Sequence, residues 1–285
     1  MHEVFECARC RICFAGALDP GVLSDYYPEN YYNPKARPWY SASLRGRLSI
    51  GLVRQASRAR SATRGLRTGR VLDIGCGRGG FLTAMRSRGW DVVGMDWNAS
   101  NARTVSESLG LTVVGGEQAL AGLEGDSFDL VTMFHVLEHE QEPWSLLERA
   151  RTLLKPNGRL VVGVPSGDSV ARGLFGQYWM GYDVPRHRYV FTPSSLRQLL
   201  GDAGFEIERV SGRLSDELVD LEGSIRLRLR PSRWPDGLAT IVAALAAPLA
   251  GLLSVLGRGS AVYAYARKGT ARGVAVPQAA ATYTE

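Results

Sequence analysis

The residues best suited to hold a small ligand lie in the run Val71-Leu72-Asp73-Ile74-Gly75-Cys76-Gly77-Arg78-Gly79-Gly80. It reads as a short buried strand ending in an acidic residue, then a glycine-rich turn that opens a helix. Glycine lets a turn take positive φ and lets its backbone approach a ligand closely. Gly75, Gly77 and Gly80 also satisfy the dinucleotide spacing G-x-G-x-x-G, so the glycines alone do not name the ligand. Asp73 discriminates. A dinucleotide brings a pyrophosphate to such a turn, and a carboxylate just before the first glycine repels it. The carboxylate suits a ligand that is positive there, such as the amino and sulfonium groups of S-adenosylmethionine. Asp96 ends the next predicted strand, about twenty residues on, the usual distance for a carboxylate that takes ribose hydroxyls. Trp97 can pack on the adenine face. The competing reading makes Asp96 a loop cap and Trp97 plain core.

Methyl transfer from a sulfonium is an in-line displacement with a neutral thioether leaving. It asks the protein to align the nucleophile and exclude water, and a hydroxyl nucleophile needs a base. Two segments carry suitable groups. His135-Val136-Leu137-Glu138-His139 is formally H-x-x-E-H, an inverted zinc-protease pattern, but it follows a predicted strand instead of lying on a protease helix. Its plain reading is that Glu138 and His139 start a helix while His135 lines the methionine end of the cofactor. The second segment, 175–193, concentrates aromatics with Asp183, Arg186 and His187, an unusual density for a connector. His187 is the leading general base and Asp183 its orienter. The alternative is an ion-pair lock of Asp183, Arg186 and His187 that only shapes the loop.

From Gly69 the pattern alternates strand and helix, which predicts a doubly wound α/β sheet. At this point the chain resembles the class I S-adenosylmethionine-dependent methyltransferases. Besides the glycine turn, Asp126–His139 is similar to that family's fourth strand and its exit, and Leu153–Pro165 to its entry into the fifth. The matches run over roughly residues 69 to 212. The resemblance implies a Rossmann-like sheet of about seven strands with an antiparallel final strand. It also implies that Asp73, Gly75, Gly77 and Gly79 hold the methionine part of S-adenosyl-L-methionine and that Asp96 holds the ribose. Trp97, Glu117 and Phe134 complete the expected cofactor contacts, with Glu117 near the adenine. The exit segment resembles that of ubiquinone-pathway O-methyltransferases and small-RNA methyltransferases, some of which bind a divalent metal there through Glu and His. Glu138 and His139 are thus weak metal candidates, and His135 stands where Glu is common.

Residues 1–40 form a separate arm. Cys7, Cys10 and Cys13 resemble part of a zinc knuckle, yet a closed site needs four ligands, and His2 is a weak fourth. Some relatives begin with two such pairs before a Tyr-rich segment like Tyr26–Tyr32. The missing first pair implies an upstream start or a decayed site, and a metal-free arm is expected. Residues 41–68 read as an Arg-rich amphipathic helix, solvated, with Leu44, Leu48, Leu52 and Val53 on one face. Residues 69–270 form the expected catalytic domain, and 271–285 a loose tail.

Within that domain, Gly237–Gly257 carries no charge. Its length reaches the roughly 18 apolar residues of a transmembrane candidate. Two sheet strands flank it and Pro248 divides it, so the expectation is a helical hairpin that is buried, dimer-forming or dipped into one leaflet. Arginines at 226–233 and Trp234 suit an anionic headgroup layer over 225–257. The chain has 285 residues, 45% hydrophobic and 22% charged, as expected of a globular protein. Its +6 formal charge comes almost wholly from arginine. Four cysteines and no secretory signal fit a cytoplasmic protein, with inner-face membrane association as an option. The expected activity is methylation of a small-molecule acceptor, oxygen favoured, of lipid-linked, sugar or quinone-like type. RNA methylation and a non-catalytic cofactor-binding scaffold are the alternatives. No recognised RNA-binding module accompanies the basic balance, which weighs against nucleic acid.

Overall fold

The computed structural model describes residues 4–8, 10–16, 44–116, 118–229 and 238–269. The Tyr-rich segment 26–32, the residues His2, Glu117, Arg233 and Trp234, and the tail 271–285 lie outside them. In chain order the elements are β1 (Val4–Glu6), β2 (Cys13–Ala15), α1 (Leu44–Ala62), β3 (Arg70–Ile74), α2 (Gly80–Arg86), β4 (Asp91–Asp96), α3 (Ala99–Leu109) and β5 (Thr112–Gly115). Then follow β6 (Phe128–Phe134), α4 (Pro143–Leu153), β7 (Leu154–Pro165), α5 (Val170–Phe175), β8 (Tyr189–Val190), α6 (Pro193–Asp202) and β9 (Phe205–Ser211). The last are α7 (Leu214–Leu229), α8 (Leu238–Leu245), α9 (Ala247–Val255) and β10 (Ala261–Lys268).

Seven strands form one sheet in the order β5-β4-β3-β6-β7-β10-β9, and β10 runs antiparallel to both its neighbours. The central strands are buried on both faces, which is why they read as near-continuous apolar runs. Leu72, Ile74, Met95 and Met133 pack on one side; Val71, Leu130, Val161 and Tyr263 pack on the other. The chain leaves β3 for β4 on one side while β6 pairs on the other. That reversal opens a crevice at the carboxyl ends of β3 and β6, where open α/β sheets bind ligands. Asp73, Asp96 and His135 all lie at that edge.

Three expectations change. The arm does not gather its cysteines. Cys13 sits in β2, which pairs with β8, and its side chain is buried with Trp179 and Val190. Strand alternation thus turns Cys13 into the protein, while Cys7 and Cys10 contact each other at the turn before β2. Burial raises the Cys13 thiol pKa. Second, Leu52 and Val53 of α1 are exposed, and the inward face carries Arg54, Arg58, Ala59 and Ala62. Third, Glu138 and His139 lie in a turn, and the helix begins only at Pro143.

The inward arginines meet α7. Asp216, fully buried, accepts from Arg54 Nε at 2.5 Å, Arg58 Nη2 at 2.9 Å and Tyr263 Oη at 2.8 Å. The two guanidiniums hold its carboxyl well below the usual carboxylate range despite its burial. Beyond α7, Pro248 occupies the first turn of α9, where it costs no hydrogen bond, so the apolar segment forms two short helices. No helix among the described residues is long and apolar enough to cross a membrane.

Removing one member of a buried ion-pair cluster leaves charges unpaired. Asp216→Ala should therefore cost about 3–5 kcal/mol in urea unfolding. A loss below about 1 kcal/mol would show that the three partners are satisfied without it.

Candidate active site

The glycine turn is tied to the neighbouring strand: Gly75 and Cys76 donate to the Met95 carbonyl at 2.8 and 2.9 Å. Gly75 (φ +72) allows the turn to pass under Val136 and Trp97, whose side chains would meet any Cβ. Gly77 (φ +52) faces open space, so its backbone is the part a ligand can approach. Gly79 (φ +70) also packs against α3, because a Cβ there would strike Leu109 and Val105 at 2.8 Å. Asp96 accepts from Gly77 N at 3.1 Å and from Asn98 N at 2.9 Å, which holds the second carboxylate against the turn. Trp97 is half-buried against the main core.

Asp73 is buried and accepts from Thr132 Oγ1 at 2.6 Å. Burial pushes its carboxyl up to about 7. Gln55 of α1 lies over Gly80, and its buried Oε1 has no hydrogen-bond partner. Neither Gln55 nor Thr132 was singled out from sequence. Thr132 is the only polar side chain in the run Leu130–Phe134, a usable signal; Gln55 had none.

Next to the turn, His135 takes φ +57 at the end of β6, a strained setting for a non-glycine residue. Arg54 Nη2 donates to its Nε2 at 3.0 Å, which places the proton on Nδ1, 3.2 Å from Glu138 Oε1. Burial and the two arginines Arg54 and Arg58 depress the His135 pKa, so the ring is neutral. Phe134 packs edge-on against Phe81 with the Arg58 guanidinium 4.7 Å from its ring centre.

The loop after β7 folds back on this segment, and the Glu138 carbonyl accepts from Arg188 N at 2.7 Å and Tyr189 N at 3.1 Å. The Asp183 side chain does not orient His187. It pairs with Arg186 at 2.6 Å, while His187 Nδ1 donates to the Gly181 carbonyl at 2.9 Å. The planar guanidinium fork outcompetes imidazole for the carboxylate. His139 Nδ1 donates to the Arg186 carbonyl at 2.9 Å, and the His139 and His187 rings meet edge-on with centroids 4.7 Å apart. Burial depresses both histidines, His139 to about 3. One ligand-capable atom from each of Glu138, His139 and His187 lies within 4.8 Å of the other two. Glu138 is fully buried, its Oε2 has no partner, and burial raises its pKa to about 8. Asp220, one turn beyond Asp216 on α7, is likewise raised to about 8 by burial. The i, i+4 spacing of these acids on one helix face was the available signal for α7.

Residues 48–210 match the family model described as a methyltransferase domain. The chain belongs to the S-adenosylmethionine-dependent methyltransferases. The ubiquinone biosynthesis O-methyltransferase of Azorhizobium caulinodans is 32% identical over 179 residues, covering 59% of this chain and 70% of that protein. The Psychrobacter arcticus protein of that name is 31% identical over 196 residues, covering 63% and 74%. The one from Cereibacter sphaeroides is 34% identical over 148 residues, covering 48% and 60%. The fold is shared with an Archaeoglobus fulgidus SAM-dependent methyltransferase at TM-score 0.52 and 22% identity, covering 77% of this chain and 94% of that one.

The methyltransferase's turn fits its cofactor. S-adenosylmethionine supplies the electrophilic methyl and, at its methionine end, an ammonium. Buried Asp73 and the unpartnered Gln55 Oε1 are acceptors suited to that ammonium, and the open face of Gly77 admits the ligand. The ammonium favours ionised Asp73, whereas in the free protein Asp73 is protonated below about 7. If the ammonium pairs with Asp73, binding below that pH expels a proton. Affinity for S-adenosylhomocysteine should fall by up to about tenfold per pH unit below it and level off above. Calorimetry in two buffers of different ionisation heat should show proton release at about pH 6 and none at about pH 8. An affinity flat across that interval would exclude Asp73 as the ammonium's partner.

Proposed function

We propose that this methyltransferase methylates a hydroxyl of a small quinone-like or lipid-linked acceptor at the inner face of a membrane. The observation that carries the reading is the convergence of neutral His187 with His139 and buried Glu138 beyond the ends of β6 and β7. His187 removes the hydroxyl proton. The Gly181 carbonyl fixes its Nδ1–H, which leaves the lone pair on Nε2 for that task. Asp73 and Gln55 hold the methionine end of the cofactor, Asp96 its ribose, and His135 borders the transferred methyl. Relatives that carry the name O-methyltransferase support oxygen as the nucleophile. The inward direction of Arg54 and Arg58 removes two arginines from any basic stripe on α1 and weighs against RNA.

A second reading has a specific observation behind it: Glu138, His139 and His187 hold a divalent cation. Both imidazoles donate Nδ1–H to a backbone carbonyl, the arrangement that orients a ligating histidine, and Glu138 Oε2 is unpartnered. A cation there would acidify a bound hydroxyl.

The two readings separate by variant. With His187 as a lone base, His187→Ala lowers kcat by about 10²–10⁴, and His139→Ala and chelation change it little. With a cation site, His187→Ala, His139→Ala and Glu138→Gln lower kcat together, chelation does the same, and metal analysis finds an ion that the variants lose. In either case affinity for S-adenosylhomocysteine is unchanged. Loss of that affinity in His187→Ala would overturn both readings.

A further inference from the structure

We infer that the hairpin of α8 and α9 is a docking face for an anionic phospholipid surface, on which the enzyme lies with both helices in the plane of the headgroups. Ile241, Leu245, Leu249, Leu252, Val255 and Leu256 are each between 55% and 85% exposed. Their spacing runs along one side of the two helices, and Ala243, Ala250 and Ser254 are buried on the other. Six large aliphatics on one uncharged face are far more than the scattered exposed apolar residues of an ordinary surface. The helices have 8 and 9 residues, about 12–14 Å long. That is too short to span about 30 Å of hydrocarbon but suits a helix lying flat, its face sunk about 5–10 Å into the interface.

Charge identifies the occupant as lipid and not a second copy. Arg258 is exposed two residues past Leu256 and lines a cavity of about 340 Å³ with Arg11, Arg172, Ser169 and Tyr182. Asp168 also lines it, and Glu6 lies 3.2 Å from Arg11 and 3.6 Å from Arg172, so two carboxylates face three guanidiniums. Arg228, at the end of the α7 helix that supports the hairpin, stacks on Tyr178 at 5.0 Å. An uncharged aliphatic plateau followed at once by exposed Arg258 matches the acyl and headgroup layers of an anionic leaflet. A second copy of the same face would set these arginines against each other.

The hairpin is fixed, not tethered. Glu217 of α7 accepts from Ser260 N at 2.7 Å, which ties down the α9–β10 connection, and Leu214 lies 3.6 Å from where a Gly251 Cβ would stand. The purpose assigned to docking, delivery of a lipid-soluble acceptor, rests on the proposed function. The docking itself rests on the surface alone.

Flotation of the full chain with vesicles tests it. Vesicles of phosphatidylglycerol and phosphatidylcholine should carry the wild type up the gradient, and pure phosphatidylcholine should carry at least tenfold less. The double variant Leu249→Glu, Leu252→Glu should lose binding by more than tenfold, and Arg258→Gln by severalfold. Calorimetric affinity for S-adenosylhomocysteine should match wild type in both variants, which shows that they fold. No flotation of the wild type, or equal flotation on both vesicle types, overturns the inference. So does a wild-type dimer in light scattering that the double variant converts to monomer without any vesicle binding. If vesicles bind but no lipid-soluble acceptor is methylated, the docking stands and the acceptor assignment falls.

Discussion

One buried carboxylate ties the architecture together. Asp216 joins α1, α7 and β10 by accepting from Arg54, Arg58 and Tyr263. A lone ionised carboxyl at that depth would be prohibitive, and two guanidiniums make it tolerable. The arrangement also runs onward. Arg54 uses a second nitrogen on His135, which sets that ring's tautomer and turns its Nδ1–H toward Glu138. A charge buried for structural reasons thus fixes the proton position of a ring at the mouth of the site. The N-terminal helix is part of the site for the same reason, since Gln55 lies one residue from Arg54 and reaches the glycine turn.

Much of this could be read from residue types. The acidic residue before the glycines, the second acid at the end of β4 and the βα alternation rest on local rules, and the structure puts Asp73, Gly75, Gly77 and Asp96 at one edge. Thr192 caps α6 as its type suggests, with Pro193 next. What escaped is what depends on distant partners. The inward face of α1 carries arginines, so hydrophobic periodicity pointed the helix the wrong way: its neutralising acids lie more than 150 residues later. Cys13 looked equivalent to Cys7 and Cys10 in spacing, and strand alternation separated it. Gly79 sits among cofactor glycines in sequence, and its lack of a side chain also serves α3. Asp183 stands four residues before His187, yet a closer arginine takes it.

The polar chamber is built from groups that burial keeps neutral. His135, His139 and His187 are depressed, while Glu138 and Asp220 are raised to about 8. The two acids, raised to about 8, give up a proton near neutral pH at modest cost, whereas protonating the depressed histidines is expensive. A sulfonium, an ammonium or a metal cation would draw the acids toward ionisation. That response suits a reaction in which the donor loses its positive charge as the methyl moves, since the surroundings need not be rebuilt between the charged and neutral cofactor.

Helix α7 carries both ends of the proposed chemistry. Asp216 and Asp220 are buried on its inner side, and α8 and α9 pack against it. Any force that seats the hairpin on a surface acts on a helix held to α1 by two buried ion pairs. Such pairs require close geometry and give little before they break. A surface contact at Leu249 and Leu252 would therefore fix the orientation of the chamber relative to the lipid without deforming it. On that proposal the hairpin would set where the enzyme lies, and the Asp216 cluster would keep the placement from disturbing the cofactor site.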